Sequence, residues 1–266
     1  MLKLSPDSVS IGSLGTCIQV PSLSLAFDMG LAPASALHRS VVLLSHGHMD
    51  HISSVGHHIA RRELLKLPPA TYIMPPEMVE GFHALLAAYR KLDGSRLEVD
   101  LVTLRPGDSH PLNDRLFVRT FPTYHVIPSL GYAICSQRGK LKPQYHGLLG
   151  PDIRALRTAG VDVEDLVETV DVAFTGDTKV EALDADLVRE AQLLIAEATF
   201  VDDRISVEKA RRTFHTHLDE IAARADVLEN EHIILTHFSA RYSKTEIDKA
   251  LDALPPDLRL RVTTLL

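Results

Sequence analysis

Short apolar runs alternate with amphipathic stretches along most of the chain. The apolar runs are typical of buried strands, and we predict strands at residues 23–27, 41–44, 71–74, 97–104, 116–121, 131–135, 170–174, 193–196 and 233–236. Apolar residues spaced three and four positions apart predict helices at residues 52–67, 76–92, 150–159, 180–191, 207–213, 218–230 and 244–253. Interleaved strands and helices indicate an α/β fold with helices packed outside sheets.

The sequence contains no internal repeat, low-complexity segment or linker, so we interpret residues 1–266 as one domain. The least regular stretch is 136–150, which holds Gly139, Pro143, Gly147 and Gly150. An irregular insert in a compact domain is often functional. We therefore predict a functional loop at about 136–150.

Amino-acid composition and net charge indicate which classes of protein this chain can belong to. Hydrophobic content of 45% and charged content of 24% are ordinary for a globular chain. No apolar run is long enough for a bilayer, the first six residues lack the apolar core of a signal peptide, and Cys17 and Cys135 make no disulfide framework. We expect a cytoplasmic protein without a membrane or DNA partner. The net charge of −7 means that a polyanionic substrate would need a local basic patch or metal ions.

A cluster of histidines directly follows the apolar run 41–44. His46 and His48 are two positions apart, so on extended backbone they project to the same side. Asp50 and His51 come next, at the predicted start of a helix whose first turn can aim side chains at the same point. Imidazole nitrogens and a carboxylate suit zinc. The alternative is a polar loop in which some of the fourteen histidines happen to crowd.

Three further candidate ligands each follow a predicted strand. His125 follows 116–121, Asp177 follows 170–174 and His237 follows 233–236. Singly, they could be a loop histidine, a turn or helix cap, and a buried core histidine. Together with the first cluster, however, the order "strand, then ligand" occurs four times. Gly176, just before Asp177, would let the backbone approach the site closely.

These residues carry a resemblance to the metallo-β-lactamase superfamily and, more narrowly, to its ribonuclease Z (tRNase Z) family. Further segments support it and run from about residue 10 to the C-terminus: 15–17, 26–28, 128–132, 174–178, 197–200, 236–242 and 253–256. The plant-type short form of the family is the most similar. The resemblance implies a four-layer αβ/βα sandwich with metals at the lip between its two sheets.

The resemblance also implies the ligand set and the reaction. Two zinc ions per subunit would be held, one by His46, His48 and His125 and the other by Asp50, His51 and His237, with Asp177 between them; manganese or iron in place of zinc is left open. The family cleaves the 3′ trailer from precursor tRNA by attack of a metal-held hydroxide on a phosphodiester. Asp50 is the expected acceptor of the water's proton.

The resemblance also implies that a Glu–His pair supplies the proton that the leaving group needs. The family's His-Glu-Ala-Thr segment lacks its first His here, but Glu197 remains. His215 is the expected partner, with His217 as a competing candidate. The alternative for Glu197 is a plain surface carboxylate.

Substrate contacts follow from the same resemblance. The basic residues Arg138, Lys140 and Lys142 lie where the family's tRNA-binding arm, or exosite, emerges, and phosphate contact or a solvated surface are the two alternatives. Thr178, Ser239 and Arg241 are further candidates for substrate contact. The family's mode of tRNA binding implies a homodimer.

Two other functions stay open on the sequence alone. One keeps the fold and metals but hydrolyses a small phosphodiester, a thioester or a lactone. The other is a non-catalytic RNA-binding relative, which would be expected to lack ligands. Asp28 is a further candidate, as a hydrogen-bond partner of a ligating histidine.

Overall fold

Two seven-stranded sheets face each other in the computed structural model, which describes residues 3–266. The strands within this range are β1 (Val9–Gly12), β2 (Gly15–Val20), β3 (Leu25–Phe27), β4 (Val41–Leu43), β5 (Ala70–Met74), β6 (Val99–Thr103), β7 (Ser109–Pro111), β8 (Leu116–Pro122), β9 (Leu130–Leu141), β10 (Glu164–Phe174), β11 (Leu193–Glu197), β12 (His232–Thr236), β13 (Phe238–Ser239) and β14 (Val262–Thr264). One sheet has the order β13-β1-β2-β3-β4-β5-β6, and the other has the order β14-β12-β11-β10-β9-β8-β7.

The central core lies between the inner faces of the two sheets. Phe27 of β3 and Phe174 of β10 meet there with ring centroids 4.7 Å apart. β3, β4 and β11 are short, almost wholly apolar and buried along nearly their whole length, as expected of strands covered on both faces. The continuous apolar runs in the sequence therefore reflect burial between a sheet and a helix layer.

Helices cover the outer face of each sheet. Those within the described range are α1 (Met49–Ile52), α2 (Val55–Leu64), α3 (Val79–Asp93), α4 (Gly150–Thr158), α5 (Asp186–Arg189), α6 (Val207–Arg212), α7 (Leu218–Ala222), α8 (Lys244–Leu251) and α9 (Pro256–Arg259). Apolar residues of α2 and α3 pack on the first sheet, and those of α5 to α8 pack on the second. This is the predicted four-layer αβ/βα sandwich. Within residues 3–266 no helix combines the length and apolar character needed to cross a membrane.

Several predicted elements have different bounds in the structure. The predicted helix 52–67 is divided into α1 and α2, 180–191 is a 3-10 turn (Val180–Asp184) followed by α5, and 218–230 is helical only in α7. The pattern missed β1 and β2, and also the short strands β7, β13 and β14. β1 and β2 both contain buried polar residues whose side chains are hydrogen-bonded, among them Ser10 and Thr16, which face each other in the β1–β2 pair at 3.1 Å. Such residues hide the apolar signal of a strand.

The stretch 136–150 is only in part the irregular loop that the sequence predicts. β9 continues to Leu141 and pairs antiparallel with β10, and beyond Ser136 the two strands pair only with each other. α4 lies in the connection between them. We call residues 137–169 the arm. The long-range pairing with 164–169, which local patterns do not show, makes residues 136–141 a strand of a hairpin. Residues 142–149 form a 3-10 turn (Pro143–Tyr145) and irregular backbone.

Candidate metal centre and active site

The predicted ligands gather at one edge between the two sheets. His46 and His48 follow β4, His125 follows β8, Asp177 follows β10 and His237 separates β12 from β13. Asp50 and His51 lie in α1, whose first turn faces the same point. The convergence expected from the sequence is therefore present in the structure.

The first ligand cluster consists of His46, His48 and His125. Nδ1 of His48 lies 3.1 Å from Nε2 of His46 and 3.1 Å from Nε2 of His125. Ligand nitrogens on a tetrahedral zinc ion, at about 2.0–2.1 Å each, are about 3.3 Å apart. Burial lowers the pKa of His46 and of His125, which keeps both rings in the neutral form that binds metal.

The second cluster consists of Asp50, His51 and His237. Nε2 of His237 lies 3.4 Å from Nε2 of His51 and 3.4 Å from Oδ2 of Asp50. The backbone N–H of Ser13, in the turn between β1 and β2, donates to the same carboxylate oxygen at 2.8 Å. Burial raises the pKa of Asp50, but the hydrogen bond and charge of His237 and the charge of His51 outweigh it and lower the pKa, so the group is a carboxylate.

Asp177 lies between the two clusters. Its Oδ1 is 3.4 Å from Nε2 of His51, and its Oδ2 is 3.4 Å from Nε2 of His237 and 3.8 Å from Nε2 of His46. Burial raises the pKa of Asp177, yet the charges of His237 and His51 hold it well below the usual range. Oδ1 is buried and has no hydrogen-bond partner. A buried carboxylate oxygen without a donor is costly, and a cation would satisfy it.

The other ring nitrogen of each buried histidine is already engaged. Nδ1 of His51 lies 2.7 Å from Oδ2 of Asp28, and Nδ1 of His46 lies 3.0 Å from Oγ of Ser45, which itself donates to Asp28 at 2.8 Å. Nδ1 of His125 lies 3.1 Å from the carbonyl oxygen of Phe214. Because Nδ1 is engaged in each of these rings, Nε2 is left with a free lone pair that faces the ligand clusters. The donor set therefore fits divalent metal ions.

Four residues around the centre have strained backbone. Ser13, Asp28, Phe214 and His237 all have φ between 58° and 64°, in the left-handed region that residues other than glycine rarely adopt. Gly176 also has a positive φ of 59°, and a Cβ there would lie 2.6 Å from Cβ of Ser45. Backbone strain of this kind persists where the surrounding contacts hold the chain in place, and it is common at functional sites.

Glu197 is a buried carboxylate, not a surface one. It accepts hydrogen bonds from the backbone N–H of Thr178, the hydroxyl of Thr199 and the backbone N–H of Thr216, and Nδ1 of His215 lies 3.1 Å from both its oxygens. Burial lowers the pKa of His215, but the charge and hydrogen bond of Glu197 outweigh this and raise it to about 9. The raised pKa favours the protonated form of His215, whose Nδ1 lies 4.0 Å from Oδ2 of Asp177.

His217 has a different role from that of His215. Its Nδ1 accepts a hydrogen bond from the backbone N–H of Asp219 at 3.1 Å and caps the N-terminus of α7. Its side chain is 2% exposed, and Nε2 lies 3.3 Å from the carbonyl oxygen of Asp202. Both ring nitrogens are used within the fold, so the geometry favours His215 as the partner of Glu197.

Thr178 does not fit its predicted role in substrate contact. It is 1% exposed, its hydroxyl donates to the carbonyl oxygen of Lys179 at 3.0 Å, and it accepts from the backbone N–H of Tyr124 at 2.9 Å. Its backbone N–H is bonded to Glu197. All of these groups are already used within the fold, so the structure does not support substrate contact by Thr178, which instead positions Glu197 and Tyr124.

The remaining substrate candidates lie on the surface. Arg138 and Lys140 are exposed on the arm, whereas Lys142 is ion-paired with Asp162 at 2.8 Å. Arg241 is also exposed, and its Nε donates to the hydroxyl of Ser239 at 2.9 Å. These residues do not contact the ligand clusters, so the structure alone gives them no catalytic position.

Sequence reasoning missed four residues that support the site. Ser45 and Thr199 hold ligating histidines through their hydroxyls. The hydroxyl of Ser45 contacts Nδ1 of His46, and the hydroxyl of Thr199 lies 3.0 Å from Nδ1 of His237. Ser13 and Phe214 hold Asp50 and His125 through backbone groups. No side-chain pattern reveals a backbone contact, but Thr199 lies in the 197–200 segment that the sequence singled out.

Comparison with known proteins agrees with this geometry. A model of the beta-lactamase superfamily domain matches residues 21–238. The chain is 43% identical over 263 residues to tRNase Z TRZ1 of Arabidopsis thaliana, covering 97% of this chain and 94% of that protein. It is 37% identical to the chloroplastic tRNase Z TRZ2 of the same plant, covering 97% and 74%.

A solved structure has a similar fold. The crystal structure of human tRNase Z, short form, superimposes with a TM-score of 0.63 at 18% identity, covering 96% of this chain and 93% of that one. That identity is too low to support more than the fold, but the plant relatives are much more similar in sequence. This chain belongs to the tRNase Z family of the metallo-β-lactamase superfamily.

Proposed function

We propose that the protein is a metal-dependent endoribonuclease that cleaves the 3′ trailer from precursor tRNA. The observation that carries this proposal is the buried Glu197–His215 pair, which stands beside the ligand clusters in a chain 43% identical to a tRNase Z. The pair places a proton donor next to the position where a metal-held phosphodiester would react.

The proton donor also favours a phosphodiester over a thioester. A ribose 3′ oxygen is a strongly basic leaving group and needs a proton, whereas a thiolate, with a pKa near 8.5, leaves without one. His215 keeps its proton because Glu197 raises its pKa to about 9. A site built for thioesters would gain little from this ion pair.

We assign the metal ligands as two sets joined by Asp177: His46, His48 and His125 on one side, and Asp50, His51 and His237 on the other. When bound, two zinc ions would lower the pKa of a water between them and hold the phosphodiester oxygens. Asp50 would be the acceptor for a proton from the attacking water, and the N–H of Ser13 keeps its carboxylate oriented. Asp28 and Ser45 fix the rings of His51 and His46.

Substrate binding is assigned to two exposed sets. Arg138, Lys140 and Lys142 on the arm contact tRNA phosphates, while Ser239 and Arg241 hold a phosphate near the cleavage site. The arm has five basic and five acidic residues between 137 and 169, so its net charge does not attract RNA. Discrete contacts therefore carry the binding.

We further propose that the chain forms one domain, works in the cytoplasm and acts as a homodimer in which one subunit's arm holds the tRNA cut by the other. The dimer rests on the family resemblance alone. Light scattering of the purified protein should give twice the 29.3 kDa chain mass. A monomer that processes tRNA at full rate would contradict the shared-arm arrangement.

Three substrates assayed side by side test the function: a precursor tRNA, a simple phosphodiester and a thioester. We expect chelator-sensitive cleavage of the precursor at the 3′ end of the tRNA body. Faster hydrolysis of the thioester would instead favour a hydrolase of small substrates. Binding of tRNA without any cleavage by the metal-loaded protein would favour the non-catalytic alternative.

A further inference from the structure

An open groove of about 750 Å³ begins at His125 and is lined by Tyr124, Lys179 and Phe214. Phe214 directly precedes His215, whose ring centroid lies 5.2 Å from that of His125. The groove therefore adjoins both the first ligand cluster and the proposed proton donor. Its volume is in the range of pockets that hold small ligands, including a single nucleotide.

The walls of this groove are tied to the active site by backbone contacts. The N–H of Lys179 donates to the carbonyl oxygen of Tyr124 at 3.1 Å, and the carbonyl oxygen of Phe214 accepts from the ring of His125. Nζ of Lys179 lies 4.1 Å from the ring centroid of Phe214. The strained backbone of Phe214 (φ 60°) thus holds an aromatic ring and an ammonium group together beside His215.

We propose that this groove binds the last nucleotide of the tRNA body, the one whose 3′ oxygen leaves. The proposal rests on the proposed function, because His215 must reach that oxygen and the nucleotide must therefore lie next to His215. An aromatic ring with an adjacent cation is the combination that proteins use for unpaired bases and their phosphates. Tyr124 and Glu181, which also line the groove, add a second ring and an acceptor for a ribose hydroxyl.

A second cavity provides the contrast. It has a volume of about 400 Å³, shares Ile127 and Pro128 with the groove, and is otherwise lined by residues that include Met49, Met78, Phe82 and Tyr89. In the described part of the chain its lining includes no Lys or Arg. It borders Met49 and not Phe214, so a nucleotide bound there would not contact the residue that precedes His215. Binding of the last tRNA nucleotide in this cavity is the arrangement that the experiment must exclude.

The test combines substitutions at Phe214 with base removal in the RNA. Phe214→Leu and Phe214→Tyr both keep the backbone contact to His125, so they change only the ring. One precursor tRNA lacks the base of its last tRNA nucleotide, and the matched control lacks the base of the first trailer nucleotide. Stacking on a protein ring changes affinity by about tenfold or more per base.

We expect Phe214→Leu to lower kcat/KM about tenfold on the intact precursor but to have little effect on the precursor without the last tRNA base. On the control RNA its effect should be as large as on the intact precursor, and Phe214→Tyr should restore the parent's behaviour. The proposal would be overturned if Phe214→Leu lowered kcat/KM equally with and without the last tRNA base. It would also be overturned if the effect of Phe214→Leu disappeared when the first trailer base was removed.

A binding measurement separates this proposal from the proposed function. Metal-loaded parent protein should quench 2-aminopurine placed as the last nucleotide of the tRNA product, and Phe214→Leu should not. Lys179→Met should lower the salt dependence of product binding by about one phosphate contact. If the parent cuts the precursor but quenching is unaffected by Phe214→Leu, only the groove assignment fails. If the parent does not cut, both fail.

Discussion

Oδ2 of Asp28 lies 2.7 Å from Nδ1 of His51, and both side chains are almost completely buried. The contact fixes which nitrogen of His51 faces the centre. Asp28 also accepts from the backbone N–H of Ser45 at 2.7 Å and from its hydroxyl, which contacts His46. One buried carboxylate therefore orients a histidine of each ligand cluster.

Asp28→Asn should weaken metal binding about 10- to 100-fold, the usual effect of removing a partner that orients a ligand. The amide keeps the size of the side chain but loses the charge that holds the Nδ1 proton of His51. Competition with a chromogenic chelator would measure the affinity. Asp100→Asn, at an exposed position of β6, is the matched control. Equal affinities of the two variants would contradict this role of Asp28.

Chelation should abolish cleavage of precursor tRNA, and zinc should restore it. Asp50→Ala should lower the cleavage rate at least about 10³-fold, because metal activation is worth several kcal/mol in the transition state. Metal analysis of the same variant would show whether one set of ligands has lost its ion. If the Asp50→Ala protein cuts as well as the parent, the assignment of the proton acceptor is wrong.

His215→Ala and His217→Ala should behave oppositely. The first should lower kcat about 10²- to 10⁴-fold with little effect on stability, as expected for a proton donor. The second should cost about 1 kcal/mol of stability, because it removes the cap of α7, and should leave kcat largely unchanged. Thermal unfolding and single-turnover cleavage measure the two effects. His217→Asn, which keeps a capping acceptor, should recover most of the stability.

Glu197→Gln should shift the alkaline limb of the pH profile of kcat. His215 is protonated below its raised pKa of about 9, so the activity that needs this proton is lost as the pH rises through that value. Removal of the Glu197 charge lowers the pKa of His215 and moves the loss of activity to lower pH. Glu208→Gln, on the exposed surface of α6, should leave the profile unchanged. An unmoved limb in Glu197→Gln would rule out the coupling.

Arg138→Glu with Lys140→Glu should weaken binding of precursor tRNA and flatten its salt dependence, while hydrolysis of a small phosphodiester stays the same. Each phosphate contact contributes about one unit to the salt slope. Lys142 is a weaker choice because Asp162 already neutralises it. Lys91→Glu, at an exposed position of α3, controls for charge reversal elsewhere. Loss of small-diester hydrolysis as well would indicate misfolding.

Local sequence was sufficient for the interleaved strands and helices and for the chemical types of the metal ligands. The pattern of apolar residues along the chain reflects which faces of each element are buried. A ligand that directly follows a strand can be identified from a short segment of sequence, as in 41–51 and 233–237. The strand pairing within the arm, the strands β1 and β2, and the true extent of α7 were not predicted, because strand pairing over long separations and buried polar contacts leave no local period.

Only the tertiary structure distinguished His215 from His217 and showed that Thr178 is buried. The two histidines are only two positions apart in the sequence. Their roles differ because His215 packs against Glu197, whereas His217 packs against Asp202. The same holds for the N–H of Ser13 on Asp50. Residue type and spacing are properties of the sequence, whereas burial and hydrogen bonding depend on which distant segments the fold brings together.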